Sequence, residues 1–353
     1  MMNQEKLAKL FTTFVQKHHL PQAIVALETT DKKDKVQLSW GQLQADSPFL
    51  MASVTKLWVT TLILQLIDQK KVFYNSIVTD FIPKEKLAGI HSMLPKNQDL
   101  PITVADLLFQ RTGFGNIFYE EPIRLKERIA REDFAYSWQE MKEWVQATPA
   151  HFLPGSKAAY YADINFTLLG LIIEHICHQD LDVCVEKAIM LPLGLQHSYL
   201  CSSEYAVIPP LYTGRAYLDR PKVVASGQGA GGGVSTCQDL LVFIRAFFEG
   251  QLFNKDHWNR LKDYYPLQAD YAPVLYGGGH MLLAMGKPGN HKRPEFYGHS
   301  GISGAFAFFC PQLNLYLSGT TDHAGQSSLC IQLIYLLLSE IERERDQTKN
   351  NKR

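Results

Sequence analysis

The sequence predicts an α+β fold: an antiparallel sheet built from both ends of the chain, flanked by the terminal helices, with a mostly helical region inserted between. Three observations predict it. Two short strand-like runs, 23–28 and 36–40, lie near the start and are joined by a polar turn. Three more, 276–283, 304–309 and 315–320, lie near the end. Between them, residues 72–270 read mainly as helix and loop. A hairpin alone is marginally stable, so the early strands must pair with the late ones.

In chain order, residues 4–17 read as a helix with Leu7, Leu10, Phe11 and Phe14 on one face. Residues 49–52 lead into a long apolar run that opens at Ser53 and closes near Gln69, Lys70 and Lys71, where cations suit a helix C-terminus. Helical patterns follow at 103–110, 138–147, 165–178, 182–190 and 236–249, and a last helix at 327–345. The tail 346–353 is polar and expected to fray. The whole reads as one unit over 1–345. Its sheet-containing part is about 1–71 and 271–345, and its helical part about 72–270.

With 353 residues and 46% hydrophobic composition, the chain can bury a large core. Thirty-five Lys and Arg balance 35 Asp and Glu, which argues against nucleic acid or an anionic membrane as partner. No run reaches the ~18 apolar residues of a membrane span. The first residues show neither an apolar leader nor a small-residue cleavage site, so a cytoplasmic location is expected. Cys177, Cys184, Cys201, Cys237, Cys310 and Cys330 are scattered and read as free thiols. No cofactor or metal is expected. His175 and His178 lie one turn apart but lack a clear third ligand. Gly227, Gly229 and Gly232 fit a dinucleotide-binding G-x-G-x-x-G after a short apolar run, but no strand completes a βαβ unit after Glu249. The G-x-S-x-G of α/β-hydrolases is absent.

Ser53 and Lys56 open a long apolar run. On a helix they share a face, one turn apart. A serine hydroxyl becomes a nucleophile when a base takes its proton, and a lysine that loses its own proton easily can be that base. A helix N-terminus helps, because its partial positive charge disfavours a second cation and its free N–H groups can hold an oxyanion. Ser is also a common helix cap, so the pair alone is weak evidence.

Further blocks follow in order. Residues 101–113 read Pro-Ile-Thr-Val-Ala-Asp-Leu-Leu-Phe-Gln-Arg-Thr-Gly, and 152–155 read Phe-Leu-Pro-Gly. Tyr161, Asp163, Asn165 and Gly170 open an apolar helix, 229–239 are Gly-rich and end in Ser-Thr and Asp239, and His299, Ser300 and Gly301 form a late triplet. Together with Ser53 and Lys56 this resembles the serine β-lactamase-like hydrolases, which include class C β-lactamases, D-Ala-D-Ala carboxypeptidases, family VIII-type esterases and related amidases. The family pattern is Ser-x-x-Lys, then Tyr-x-Asn, then Lys/His-x-Gly. The resemblance covers roughly residues 20 to 340 and implies the β-lactamase/transpeptidase-like fold.

It also implies roles. Ser53 is the nucleophile, and Lys56 and Tyr161 share general-base and proton-shuttle work, with Lys56 lowering the tyrosine's pKa. The N–H groups of Ser53 and Ile302 form the oxyanion hole, and Gly301 lets backbone approach the substrate. Two positions depart from the pattern. Asp163 stands where many members carry Asn; a carboxylate cannot donate a hydrogen bond to a substrate, but it can pair with Lys56 or cap the following helix. His299 stands where a Lys would bind a substrate carboxylate; a neutral imidazole can bond substrate or tyrosine instead. With Ser300 it is a substrate-binding candidate. The expectation is a serine hydrolase forming an acyl-enzyme on a small, uncharged ester or amide. A carboxypeptidase or β-lactamase acting on a β-lactam, and a weakly active binding protein, are the alternatives. Loops 114–119 and 271–276 are where an acyl pocket is expected, and the oligomeric state is not legible.

Overall fold

The computed structural model describes residues 2–94, 101–203, 206–288 and 293–350. The strands of its main sheet are β1 (Ala23–Thr29), β2 (Lys35–Trp40), β3 (Tyr265–Pro266), β4 (Leu275–Tyr276), β5 (Met281–Ala284), β6 (Glu295–Ser300), β7 (Ala305–Cys310) and β8 (Leu315–Thr320). Their order is β2-β1-β8-β7-β6-β5-β4-β3, and neighbouring pairs are antiparallel. The chain's first and last strands are thus neighbours, with Ile24 opposite Thr320 and Thr29 opposite Leu315.

The helices used below are α1 (Gln4–Lys17), α2 (Lys56–Asp68), α3 (Val104–Leu108), α4 (Trp138–Ala147), α5 (Ile164–Cys177), α6 (Pro221–Gly231), α7 (Cys237–Glu249) and α8 (Leu329–Asn350). Side chains of a strand alternate between faces. Tyr316 and Ser318 meet α7: Arg245 lies 4.6 Å from the Tyr316 ring, and the Ser318 hydroxyl donates to the Cys237 carbonyl at 2.7 Å. The opposite face carries Phe308 and Phe296, and Phe296 packs on Tyr335 of α8. α1 lies beside α8, joined at its start by Lys6 and Glu344 at 3.2 Å. Both sheet faces are therefore covered, and β7 and β8 are almost wholly buried.

The observed elements depart from the sequence expectation in several places. Ser53 is not in the long helix: a 3-10 turn, Ala52–Thr55, carries it, and α2 begins at Lys56. The expected strand 276–283 is two strands, β4 and β5, split at Gly277–Gly279. Gly279 has φ +77°, and a Cβ there would meet the Thr60 hydroxyl at 2.0 Å, so only glycine fits. β6 was not anticipated, because Gly298, His299 and Ser300 have little strand propensity; pairing with β5 and β7 overrides it. The run before the G-x-G-x-x-G match is helix α6 rather than a strand, which removes the dinucleotide reading altogether. Finally, α8 continues through 346–350 of the expected frayed tail, while 351–353 lie outside the described residues.

Candidate active site

The 3-10 turn bearing Ser53 is held from three directions. The Thr55 hydroxyl donates to the Ala52 carbonyl at 2.6 Å and accepts from the Gly233 N–H at 2.9 Å. The Met51 N–H donates to the Gly233 carbonyl at 2.8 Å, and the Ser303 hydroxyl donates to the Leu50 carbonyl at 2.6 Å. Ala52 itself has φ +45°, a conformation that an L-residue with a Cβ adopts at a cost of about 1–2 kcal/mol. Strain at the residue before a candidate nucleophile carries no sequence signal, since nothing in the local sequence requires it.

Lys56 is wholly buried in the first turn of α2. Its Nζ lies 2.9 Å from Ser53 Oγ, 2.7 Å from Asp163 Oδ1 and 2.5 Å from the Ala230 carbonyl oxygen. The carboxylate and carbonyl can only accept, whereas the serine hydroxyl can also donate. As an ammonium, Nζ can donate to all three; as a neutral amine it keeps two N–H bonds and can turn its lone pair to the Ser53 proton. Burial pushes the Lys56 ammonium below the ordinary lysine value, against an opposing pull from Asp163.

Asp163 precedes α5 in the N-cap position, yet its side chain makes no capping bond. Of the two expected uses of this carboxylate, the structure has it paired with Lys56. The Ala230 carbonyl was not anticipated. It belongs to the glycine-rich end of α6, where Gln228 breaks the helix with φ +35°, and small residues let that backbone reach the lysine.

Tyr161 is buried, and its hydroxyl has no hydrogen-bond partner among the described residues. Its main chain is fixed instead. The Gln268 side chain accepts from the Tyr161 N–H at 2.9 Å, and the Asn116 amide donates to the Tyr161 carbonyl at 3.1 Å. Its ring stacks on Tyr271 with centroids 5.1 Å apart. The expected lowering of this tyrosine's pKa by Lys56 is reversed. Burial first, and the Asp163 charge second, push it well above the ordinary value. Ser53 favours the phenolate without making a bond of ordinary geometry to it. With its pKa raised, the tyrosine is a proton-bearing hydroxyl.

His299 lies on β6, buried, and does not line the cavity described below. Its Nδ1 is 2.8 Å from the Ser300 carbonyl, which only accepts, so the proton is on Nδ1. Nε2 then accepts from the Tyr276 hydroxyl at 3.4 Å. Burial, and then Lys56, push its pKa down to about 3. His299 is a neutral group packed behind Tyr161, with ring centroids 6.1 Å apart. Gly301 packs directly on the nucleophile turn: a Cβ there would lie 2.3 Å from the Met51 carbonyl and 3.2 Å from Ser53 N. The N–H groups of Ser53 and Ile302 donate to no protein acceptor among the described residues.

Ser53, Tyr161, Asp163, Ser300, Gly301 and Ile302 all line one cavity of about 550 Å³. Loop residues Phe118, Tyr119, Tyr271 and Val274 contribute to its wall, as does Tyr335 of α8. The dimensions suit a small molecule. A serine hydroxyl, an amine within hydrogen-bond reach of it, a tyrosine hydroxyl and two free N–H donors meet at one cavity, the residue types that acyl transfer requires.

A family model described as Beta-lactamase matches residues 7–330. A curated relative from Salmonella typhimurium, provisionally named D-alanyl-D-alanine carboxypeptidase, is 32% identical over 161 residues. That match is 45% of this chain and 35% of the relative. The chain thus spans about a third of the length of the curated relatives it matches. The structure of a D-stereospecific amidohydrolase from Streptomyces sp. matches with TM-score 0.76 at 22% identity, covering 94% of this chain and 98% of the other. The D-amino acid amidase of Ochrobactrum anthropi SV3 matches with TM-score 0.76 at 18% identity, covering 96% and 99%. At these identities the likeness is one of fold.

Proposed function

Because this chain belongs to the Beta-lactamase family, we propose that it is a serine hydrolase that cleaves an ester or amide bond of a small substrate through an acyl-enzyme on Ser53. One observation carries the reading: the nitrogen of the buried Lys56 lies 2.9 Å from Ser53 Oγ, within reach of its proton, in a site whose burial lowers the lysine's pKa. Ser53 Oγ attacks the substrate carbonyl carbon, and its proton passes to Lys56. The N–H groups of Ser53 and Ile302 receive the developing oxyanion; losing one such donor typically costs about two to three orders of magnitude in rate. Tyr161 gives its proton to the departing alcohol or amine as the C–O or C–N bond breaks, and the proton held on Lys56 restores it. In deacylation water attacks the acyl carbon, its proton enters the same pair, and Ser53 leaves as a hydroxyl.

Ester- or amidase-like chemistry is favoured over β-lactam or D-Ala-D-Ala chemistry. The latter substrates carry a carboxylate, and no Lys, Arg or His lines the cavity among the described residues. The test is pre-steady-state hydrolysis of a p-nitrophenyl short-chain ester, with nitrocefin alongside, read together with intact mass. A burst with an acyl adduct, absent in Ser53→Ala, is expected. Ester turnover without nitrocefin turnover supports the esterase/amidase reading; nitrocefin turnover moves the assignment to β-lactamase. No burst and no adduct with either reagent would sink it in favour of a binding protein.

A further inference from the structure

We infer that the substrate carries a cationic ammonium group, recognised by the free carboxylate of Asp270 and the tyrosine-rich wall of the cavity. This rests on the serine hydrolase reading above and replaces the uncharged substrate expected from the sequence.

Three carboxylates line the cavity and no cationic side chain does, among the described residues. Two of the three are occupied. Asp163 pairs with Lys56. Glu120 accepts from the Asn116 N–H at 2.9 Å and the Tyr160 hydroxyl at 2.7 Å, and lies 2.9 Å from His151 Nε2. Asp270 is exposed on the loop that follows β3 and has no hydrogen-bond or ion-pair partner among the described residues. Beside it Tyr160, Tyr161 and Tyr271 line the same cavity, and the rings of Tyr161 and Tyr271 stack. Aromatic faces attract a cation through their quadrupole, and a nearby carboxylate adds to the attraction. The unpartnered, buried Tyr161 hydroxyl marks where the reacting end of the ligand must sit. A carboxylate in this cavity would face the unpaired Asp270 with no cationic side chain in the wall among the described residues, and like charges brought together repel.

The test uses three p-nitroanilides that differ at one carbon. The phenylalanine anilide carries an ammonium there, the 3-phenylpropionyl anilide a hydrogen, and the benzylmalonyl half-acid anilide a carboxylate. Ser53 labelling by a fluorophosphonate is run alongside. The expected order of kcat/KM is cation, neutral, anion. In Asp270→Asn the cation-to-neutral ratio falls about fivefold, the size of an exposed ion pair at the upper end of its range. The same ratio should fall when salt is raised, because exposed charges are screened. Labelling of Ser53 together with a flat or reversed charge order overturns the inference and leaves the hydrolase reading standing. So does a ratio that Asp270→Asn does not move. Absence of both labelling and turnover overturns the hydrolase reading and, with it, this one.

Discussion

Asp163→Asn should move the acid limb of activity to lower pH while leaving the enzyme active. The Asp163 carboxylate lies 2.7 Å from the Lys56 nitrogen and raises its pKa against the larger, lowering effect of burial. An opposite charge this close shifts a pKa by about 1–3 units. Asp163 is 26% exposed and so partly screened, which weakens that pull. Catalysis needs Lys56 neutral, so removing the charge lets it deprotonate at lower pH, and the limb moves down. Asn keeps an acceptor for the amine N–H. Breaking a buried pair normally costs about 3–5 kcal/mol because the remaining charge is stranded. Lys56 escapes by going neutral, so the loss at alkaline pH should stay below about 2 kcal/mol. The sign follows from linkage. A lysine depressed on folding carries no penalty above its unfolded value near ~10.4, and the penalty grows as pH falls toward the folded value. Lowering that folded value extends the loss to lower pH. The assay is kcat/KM for a p-nitrophenyl ester across the acid and neutral range, with urea unfolding at the same pH values. An acid limb that stays put, or moves up, would refute Lys56 as the titrating base.

Two other predictions complete those given with the proposed activity and substrate. Gly301→Ala places a Cβ 2.3 Å from the Met51 carbonyl, and only movement of the Ser53 turn can relieve that. A folded protein with kcat/KM down about a hundredfold is expected, as for an ångström-scale misplacement, measured with thermal unfolding as control. His280 is buried, hydrogen-bonded to the Tyr264 hydroxyl at 2.7 Å, and its pKa is pushed by burial from 6.5 down to about 4. Between those values the unfolded chain binds a proton that the folded one does not, so this group makes stability fall as pH drops, by up to about 1.4 kcal/mol per unit. Asp322, raised to about 6, acts in the opposite sense but equally in wild type and variant. His280→Asn should therefore flatten the urea-unfolding slope between those pH values by nearly one proton; an unchanged slope would count against a neutral buried His280.

The sequence by itself determined the α+β class, the sharing of one sheet between the chain ends, and the residue types of the site. Periodicity and turn chemistry are local, and Ser53, Lys56, Tyr161 and Asp163 stand at motif spacings that survive without coordinates. What only the tertiary structure decided is how those residues meet. The choice of Asp163 between capping a helix and pairing with lysine depended on a side chain 107 positions away. Lys56 gained its third partner from the Ala230 carbonyl, 174 positions on, because a broken glycine-rich helix packs against the nucleophile turn. Strand β6 exists through its neighbours rather than its own propensity. The Tyr161 pKa rises instead of falling, because desolvation first and the Asp163 charge second raise it. Charge and burial depend on everything that surrounds a group, and that environment is assembled from segments far apart in the chain.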